Sequence, residues 1–273
     1  MKPLFSFSVL SDLHFMAYKD TDLPVEWVPF LQREIQFVNS LKPSFIVING
    51  DLTNGKERDY KLAASTMQQV KMPVFYTMGN HEYYGIYEEH SFTNEIAHQR
   101  FLDYTGCPSI YYEKIIHGFT FLFLATENYT TGGNEAGWIS AAQLNWLQER
   151  LKLSYKKPVF VFLHHPVNKT VAESDHTCMQ SNELRKIFSK HPGVLLFSGH
   201  THCRMDRNDQ FIKEEGIIFI GGGCLYQEVP QSRWVDVYEN YAVIRLINHK
   251  DRKWLDDFQE TINFNNYHIQ ENE

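Results

Sequence analysis

The sequence is poor in cysteine, and its few cysteines are not spaced for a metal site or a disulfide framework. Only four occur in 273 residues, far apart and without a C-x-x-C pair: Cys107, Cys178, Cys203 and Cys224. A structural zinc site would need clustered thiolates, and a disulfide-stapled secreted protein would need more closely set cysteines. We therefore expect free thiols, a reducing compartment and a cytoplasmic location.

Long apolar runs and a basic surface are missing as well. The chain enters a strand-like segment at Leu4 with no apolar leader and no small-residue cleavage site, and no apolar run approaches the roughly 20 residues that cross a bilayer. Lys and Arg number 26 against 33 Asp and Glu, which gives a net charge of -7, and they form no basic stripe. We expect neither a membrane protein nor an extended nucleic-acid surface.

The length and composition are those of a globular α/β protein. At 273 residues, with 43% hydrophobic and 22% charged residues, the chain can form one large α/β domain or two small ones. No linker or low-complexity tract divides it. We therefore predict a single domain over residues 1–273.

Short buried strands that end in a metal-competent side chain are the main pattern. The apolar run Phe45–Asn49 is followed by a glycine, which lets the backbone turn sharply, and then by Asp51. The alternating run Leu4–Leu10 is followed by Asp12 and His14, which lie two residues apart and so project to the same side. Open α/β sheets place their sites at such carboxyl ends.

The same pattern recurs three more times. Strands predicted over 72–78, 158–163 and 194–197 end in Gly79-Asn80-His81-Glu82, His164-His165-Pro166 and Gly199-His200-Thr201-His202. Helices predicted over 26–41, 57–70 and 88–102, and a hairpin turning at His117-Gly118, lie between them. Because it follows a strand, the pair of His200 and His202 is the strongest single metal signal.

The strand-end side chains together suit two metal ions. Seven of them are candidate ligands: Asp12, His14, Asp51, Asn80, His164, His200 and His202. Seven exceed what one four-coordinate ion needs, but two ions of higher coordination can share a bridging carboxylate. Carboxylate oxygen mixed with imidazole nitrogen fits Mn, Fe, Co, Ni or Zn better than Mg or Ca. The pair of Asp12 and His14 taken alone could equally be a solvated polar loop, Asp51 taken alone could belong to a turn-forming loop, and Asn80 could be a turn or cap residue.

A dinuclear site also indicates a substrate and a nucleophile. Two divalent ions bring four positive charges, and Asp12, Asp51 and one bound hydroxide remove three, so the site is positive and attracts phosphate. A metal lowers the pKa of bound water from about 15.7 to about 7, so no Ser or Cys nucleophile is required. Neither a G-x-S-x-G nor a P-loop signature occurs. We predict hydrolysis of a phosphate ester by a metal-bridging hydroxide, with a protonated histidine assisting the leaving oxygen.

Five blocks resemble those of the calcineurin-like metallophosphoesterases, in the family's order: Asp12-Leu13-His14, Gly50-Asp51, Gly79-Asn80-His81-Glu82, His164-His165-Pro166 and Gly199-His200-Thr201-His202. The resemblance implies a four-layer α/β/β/α sandwich with two mixed β-sheets. It implies one ion on Asp12, His14, Asp51 and His202, and a second on Asp51, Asn80, His164 and His200. It also implies that His81 is the leaving-group acid or transition-state stabiliser, with Asp51 as the shared catalytic carboxylate.

Within this superfamily the chain resembles the class III cyclic-nucleotide and glycerophosphodiester branch. The segment Gly50–Gly55, followed by Tyr60, carries Thr-Asn-Gly where the Ser/Thr protein phosphatases carry Asp-Arg-Gly. Glu82 departs from the Asp that this branch more often has after Asn-His. We expect Glu82 and His165 to contact the ligands or the substrate.

The expected activity is the hydrolysis of a small soluble phosphodiester, with cyclic nucleotides among the candidates, by two divalent ions of Mn, Fe or Zn. Two alternatives stay open. One is a phosphomonoesterase of broad specificity, and the other is a metal-binding interaction module without catalysis.

Overall fold

The computed structural model describes residues 2–17, 27–130, 135–153, 157–226 and 228–267. These residues form thirteen strands: β1 (Phe5–Leu10), β2 (Phe45–Asn49), β3 (Val74–Thr77), β4 (Tyr112–Ile116), β5 (Phe119–Phe123), β6 (Val159–Phe162), β7 (Val194–Ser198), β8 (Phe211–Glu214), β9 (Ile217–Gly221), β10 (Gln231–Val237), β11 (Tyr241–Asn248), β12 (Lys253–Trp254) and β13 (Glu260–Asn263). They also form five α-helices: α1 (Trp27–Leu41), α2 (Glu57–Met67), α3 (Asn94–Thr105), α4 (Ala141–Leu153) and α5 (Ser181–Phe188). Short 3₁₀ helices span His81–Tyr87, Asn208–Gln210, Asp256–Phe258 and Phe264–Tyr267. None of the helices in these described ranges is long and apolar enough to span a bilayer.

The strands form two mixed sheets. The first has the order β12-β11-β10-β1-β2-β3, with β13 paired to β11. Its strands β1, β2 and β3 are parallel, whereas β10 and β11 pair antiparallel. The second has the order β4-β5-β6-β7-β9-β8, with a parallel centre and antiparallel edge strands β4 and β8.

Phenylalanine fills the space between the two sheets. Phe7 stacks on Phe45 with ring centroids 4.9 Å apart, and it meets Phe160 of the facing sheet edge-on at 5.5 Å. These rings belong to one buried cluster with contributions from both sheets. Burial of such large apolar area is the main stabilising term, and the ring geometries are those that aromatic quadrupoles favour.

Helices cover both outer faces of the sheets. On α1, the buried residues Leu31, Ile35 and Val38 recur at helical spacing and join the cluster outside the first sheet. Leu147 of α4 and Leu184 of α5 join the cluster outside the second sheet. The four-layer α/β/β/α sandwich with two mixed sheets is therefore confirmed.

The direction of the strands places the predicted ligands at one edge. Because β1, β2 and β3 are parallel, their carboxyl ends lie at the same edge of the first sheet, and β6 and β7 do the same in the second sheet. Two hydrogen bonds join these edges: Asn49 Nδ2 donates to the carbonyl of Phe197 at 3.1 Å, and His164 Nδ1 donates to the carbonyl of Asn49 at 2.8 Å.

Most predicted elements are confirmed, including the hairpin of β4 and β5 that turns at His117-Gly118. The helix predicted over 88–102 was placed wrongly, because α3 begins and ends later in the chain. Thr93 caps its start by accepting the amide hydrogen of Ile96 at 3.3 Å, and Gly106, with φ +69°, caps its end. The short elements β8, β12, β13 and the 3₁₀ helix His81–Tyr87 carry too little periodicity to be predicted. Residue 26, at the start of the first predicted helix, lies outside the described residues.

Candidate metal centre

Five of the seven predicted ligands have left-handed backbone conformations. Their φ values are 55° at Asp12, 48° at His14, 50° at Asp51, 68° at His200 and 51° at His202. This region costs a residue with a Cβ about 1–2 kcal/mol, so the surrounding structure must hold it. Here backbone hydrogen bonds between loops do so. The amide of Asp12 donates to the carbonyl of Gly50 at 3.2 Å, and that of His14 to Asp51 at 3.0 Å.

The first ligand group consists of Asp12, His14, Asp51 and His202. One candidate ligand atom from each lies within 4.8 Å of all the others. His202 Nε2 lies 3.0 Å from Asp12 Oδ1 and 3.2 Å from His14 Nε2. Donors that share an ion at about 2.0–2.2 Å are spaced about 3–4 Å apart, so this spacing fits one ion.

Asp51 Oδ2 lies between the first group and a second one. It is 3.9 Å from His14 Nε2 on one side and 3.1 Å from His164 Nε2 on the other. Beyond His164, His200 Nδ1 lies 3.1 Å from Asn80 Oδ1. The structure therefore brings all seven predicted ligands together, with one carboxylate oxygen of Asp51 where a bridging ligand would be.

Asn80 is held by an acidic side chain that the sequence did not single out. Glu135 Oε2 accepts a hydrogen bond from Asn80 Nδ2 at 2.6 Å, and the hydroxyl of Tyr84 donates to the same oxygen. A carboxylate on the amide nitrogen fixes which end of Asn80 faces His200 and makes its oxygen a better donor. A neutral amide is otherwise a weak metal ligand, and this contact strengthens it.

His165 lies next to the candidate ligands of the second group. Ligand atoms of His164, His165 and His200 lie within 4.8 Å of one another, and the rings of His165 and His200 are 4.3 Å apart. Its Nδ1 lies 2.8 Å from Thr126 Oγ1, and its Nε2 is buried with no hydrogen-bond partner among the described residues. His165 thus packs against a predicted ligand, as expected, whereas His164 is the one of the two that lies beside Asp51.

The hydrogen bonds around the histidines leave ring nitrogens free to bind metal. His164 Nδ1 donates to the Asn49 carbonyl, so its Nε2 carries a lone pair, and that buried atom has no hydrogen-bond partner within the described part of the chain. Asn54 Oδ1 lies 3.2 Å from His14 Nδ1, which assigns the same tautomer to His14. In the neutral ring of His164 this lone pair faces a carboxylate oxygen at 3.1 Å, and either a proton or a metal ion between the two atoms relieves the repulsion, so these residues fit a metal ion.

His81 lies at the open side of the centre. Its amide donates to Asp51 Oδ1 at 3.0 Å, its Nδ1 lies 2.9 Å from Asn54 Oδ1, and its Nε2 is 3.8 Å from Asp51 Oδ2. The side chain is 22% exposed, whereas those of Asp51 and His14 beside it are buried. Burial lowers the pKa of His81 well below 6.5, against the pull of Asp51. The ring is thus placed where a bound ester could reach it.

Glu82 holds the loop that carries Asp51 and does not face solvent. It is fully buried, and its carboxylate accepts amide hydrogens from Gly79 at 2.7 Å, Asp51 at 3.0 Å and Thr53 at 3.2 Å. Burial, followed by the charge of Asp51, raises the pKa of Glu82 to about 7. Of its two expected roles, this geometry favours support of the ligands over contact with substrate.

Gly79 is required by the close approach of two ligands. A Cβ at this position would lie 2.7 Å from Cδ2 of His164 and would overlap Oδ1 of Asp51. A larger residue would therefore separate Asp51 from His164. The glycine before Asn80 allows both to approach the same point.

The electrostatics of the centre couple carboxylates to imidazoles. Burial alone would raise the pKa of Asp12, but His202 and His164 outweigh it and lower the pKa to about 2. Burial would lower the pKa of His164, but Asp51 and Asp12 outweigh it and raise the pKa to about 10. The carboxylates of Asp12 and Asp51 thus stabilise a positive charge beside them. A metal ion and the proton on His164 compete for this position.

Three residues that hold the candidate ligands in place were not predicted from the sequence. Asn54 could have been found, because it lies within the Gly50–Gly55 segment that carries the family signal. Asn49, which orients His164 through its carbonyl, was read only as the end of a strand. Glu135 lies 55 residues from Asn80 in a segment without periodicity, so nothing in the sequence marks it.

The chain is similar in sequence and in fold to known phosphoesterases. A family model described as calcineurin-like phosphoesterase matches residues 5–204. A protein described as a probable glycerophosphodiester phosphodiesterase GpdQ, from Arcobacter nitrofigilis, is 26% identical over 207 residues, covering 71% of this chain and 70% of that protein. A 3',5'-cyclic-nucleotide phosphodiesterase of Nostoc sp. is 23% identical over 258 residues, covering 91% and 90%. A dimetal phosphatase from Danio rerio superposes with a TM-score of 0.72 at 16% identity, covering 96% of this chain and all of that one, which shows the shared fold.

Proposed function

Because the chain belongs to the calcineurin-like phosphoesterase family, we propose that it hydrolyses a small phosphodiester with two divalent transition-metal ions. One observation carries the proposal: Oδ2 of Asp51 lies between two separate groups of ligands, 3.9 Å from His14 Nε2 and 3.1 Å from His164 Nε2. A single-ion site would not need a carboxylate shared in this way.

Seven side chains would hold the ions. One ion would lie on Asp12, His14, Asp51 and His202, which form one group within 4.8 Å. The other would lie on Asp51, Asn80, His164 and His200, supported by the short contacts of His164 with Asp51 and of His200 with Asn80. The mixture of imidazole nitrogen and carboxylate oxygen favours Mn, Fe or Zn over Mg.

The protein's own residues position the ester and handle its protons. When bound, the ions supply an acidified water and neutralise charge on the phosphoryl oxygens. His81 is held through Nδ1 by Asn54, which leaves Nε2 facing the open side of the centre. Because Nδ1 donates to Asn54 and burial lowers the pKa of the ring, Nε2 of the free protein carries a lone pair. It would donate to the leaving oxygen, or stabilise the charge that develops there, in the doubly protonated ring that a bound anionic ester favours. Glu82 keeps Asp51 in place by accepting its amide hydrogen.

A phosphodiester is favoured over a phosphomonoester by both relatives and charge. The two relatives described above are named for phosphodiesters. Glu135 adds a carboxylate 2.6 Å from Asn80 Nδ2 at the edge of the centre. A diester carries one negative charge and a monoester close to two at neutral pH, so this carboxylate opposes the monoester more strongly.

Two chromogenic esters test the proposal. With Mn added, we expect faster turnover of bis-p-nitrophenyl phosphate than of p-nitrophenyl phosphate, and none of either in the Asp51→Asn variant. The reverse preference would support the monoesterase alternative. No metal-dependent hydrolysis of any ester in a broad panel would support the inactive interaction module, although no predicted ligand is missing from this chain.

Two further proposals concern the domain organisation and the cellular location. We propose that residues 1–273 form one domain, supported by the buried cluster that joins strands from β1 to β13. We also propose a reducing, cytoplasmic location, supported by the absence of any disulfide among the described residues, which include Cys107, Cys178, Cys203 and Cys224.

A further inference from the structure

A cavity of about 510 Å³ lies beside the candidate metal centre. Its walls include the side chains of Tyr129, Trp138 and Met179 and the amides of Asn128 and Asn168. Small-molecule sites have volumes of about 300–1,000 Å³ and combine apolar walls with a few polar groups, and this cavity has both properties. None of the seven candidate metal ligands is among the residues that line it.

Aromatic contacts connect the cavity to the side of the centre where His81 lies. The ring of Tyr84 is 3.9 Å from that of His81, and Tyr129, on the cavity wall, meets Tyr84 edge-on at 6.5 Å. The hydroxyl of Tyr84 also donates to Glu135, which holds Asn80. Tyr84 thus lies between His81 at the metal centre and Tyr129 on the cavity wall.

The opposite wall of the cavity touches the centre directly. Gly137 lies between two lining residues, and a Cβ on it would be 2.6 Å from Cγ of His165. The amide of Met179 donates to the carbonyl of Gly137 at 2.9 Å, which joins two segments of the cavity wall. The wall at Gly137 thus packs directly against His165, which lies beside His164 and His200.

Two exposed side chains lie on the cavity wall or against it. Met179 is 57% exposed and Tyr87, whose hydroxyl bonds to that of Tyr129, is 61% exposed. Large apolar groups left in water at the mouth of a cleft are typical of binding sites. Flat aromatic faces next to side-chain amides suit a planar heterocycle, which stacks on its faces and forms hydrogen bonds at its edges.

We propose that this cavity binds the base of a nucleotide phosphoester, with Tyr129 and Trp138 as the residues that contact the base. The proposal rests on the proposed function, since it names the organic part of the ester whose phosphate binds at the metal centre. It assigns the protein a nucleotide substrate in preference to a glycerol-based phosphodiester, which has no flat aromatic group to stack on these rings.

Binding of two phosphates that differ only in the base tests this without turnover. Mn-loaded protein is titrated calorimetrically with adenosine 5'-monophosphate and with ribose 5-phosphate. We expect the nucleotide to bind at least about tenfold more tightly, because stacking of a base on aromatic side chains supplies this much. Trp138→Ala and Tyr129→Ala should remove the difference, and Trp138→Phe should retain most of it.

Tyr238→Ala is a matched control, since Tyr238 follows β10 at the amino end of β1, opposite the metal centre. It should leave both affinities unchanged. Equal affinities for the two phosphates in the wild-type protein would overturn the proposal, as would an advantage of the nucleotide that survives both alanine variants. Failure of the proposed function would appear differently, as absence of Mn-dependent ester hydrolysis with the binding results unaffected.

Discussion

His164 Nε2 lies 3.1 Å from Asp51 Oδ2 without forming a hydrogen bond to it. His164 Nδ1 already donates to the Asn49 carbonyl, so a neutral His164 presents a lone pair to a carboxylate oxygen. Two lone pairs at this distance repel each other unless a proton or a metal ion lies between them. The position between these two atoms can hold either a proton or a metal ion, and the other candidate ligands around it suit a metal ion.

Asp51→Asn should lose both ions, whereas His81→Ala should keep both and lose turnover. Asp51 faces both ligand groups, while His81 contacts Asp51 and Asn54 from the open side. Turnover of His81→Ala should fall by about 10²–10⁴-fold, the usual contribution of a general acid. Elemental analysis beside steady-state rates measures both effects. Equal metal content in Asp51→Asn and the wild-type protein would refute the bridging role.

Chelation should abolish activity, and Mn or Fe should restore it better than Mg. Four imidazoles, those of His14, His164, His200 and His202, lie among the ligands, and imidazole suits transition metals while Mg prefers oxygen. The measurement is the rate of bis-p-nitrophenyl phosphate hydrolysis after treatment with chelator and addition of each metal. Full restoration by Mg alone would contradict the histidine-rich centre.

Asn54→Leu should weaken metal binding, although Asn54 is not a predicted ligand. Its Oδ1 lies 3.2 Å from His14 Nδ1 and 2.9 Å from His81 Nδ1, so the substitution removes the acceptor that sets both rings. Losing such an outer partner costs about 10–100-fold in metal affinity or activity. Asn54→Asp, which keeps an acceptor, is the control and should bind Mn close to normally. If both variants bind Mn like the wild-type protein, Asn54 does not orient His14.

Glu82→Leu should lower the free energy of unfolding by about 3 kcal/mol or more. It would leave the amides of Gly79, Asp51 and Thr53 without their acceptor, and each buried unsatisfied group costs about 1–3 kcal/mol. Urea unfolding of metal-free protein measures the change. Glu149→Leu, at an exposed position on α4, should stay within about 0.5 kcal/mol of the wild-type protein. A Glu82→Leu variant of normal stability would show that other acceptors replace the carboxylate.

His98 should make stability fall as pH drops below 6.5. Burial lowers the pKa of His98 in the folded protein, where its Nε2 lies 3.0 Å from the carbonyl of Glu127. The unfolded chain therefore binds more protons below pH 6.5, and the stability from neutral His98 is present above that pH and lost as pH falls towards the folded pKa. The difference in unfolding free energy between metal-free wild-type protein and His98→Gln should shrink from pH 8 to pH 5. A difference independent of pH would contradict the shift.

The strand ends and the candidate ligands can be read from the sequence alone. Short apolar runs followed by Gly or Ser and then by Asp, Asn or His are local features, and the residues they mark all reach one edge of the structure. The resemblance carried by the same blocks implied the layers of the fold. Both follow from chemistry that is readable within ten residues of chain.

How the candidate ligands are shared and supported depends on the tertiary structure. Which oxygen of Asp51 faces both groups, which tautomer His14 and His164 adopt, and which carboxylate holds Asn80 depend on contacts between segments 27 to 190 residues apart. Such contacts follow from the packing of two sheets and leave no periodic trace in the sequence. The cavity walled by Tyr129 and Trp138 is of the same kind, because its aromatic faces meet only after the chain has folded.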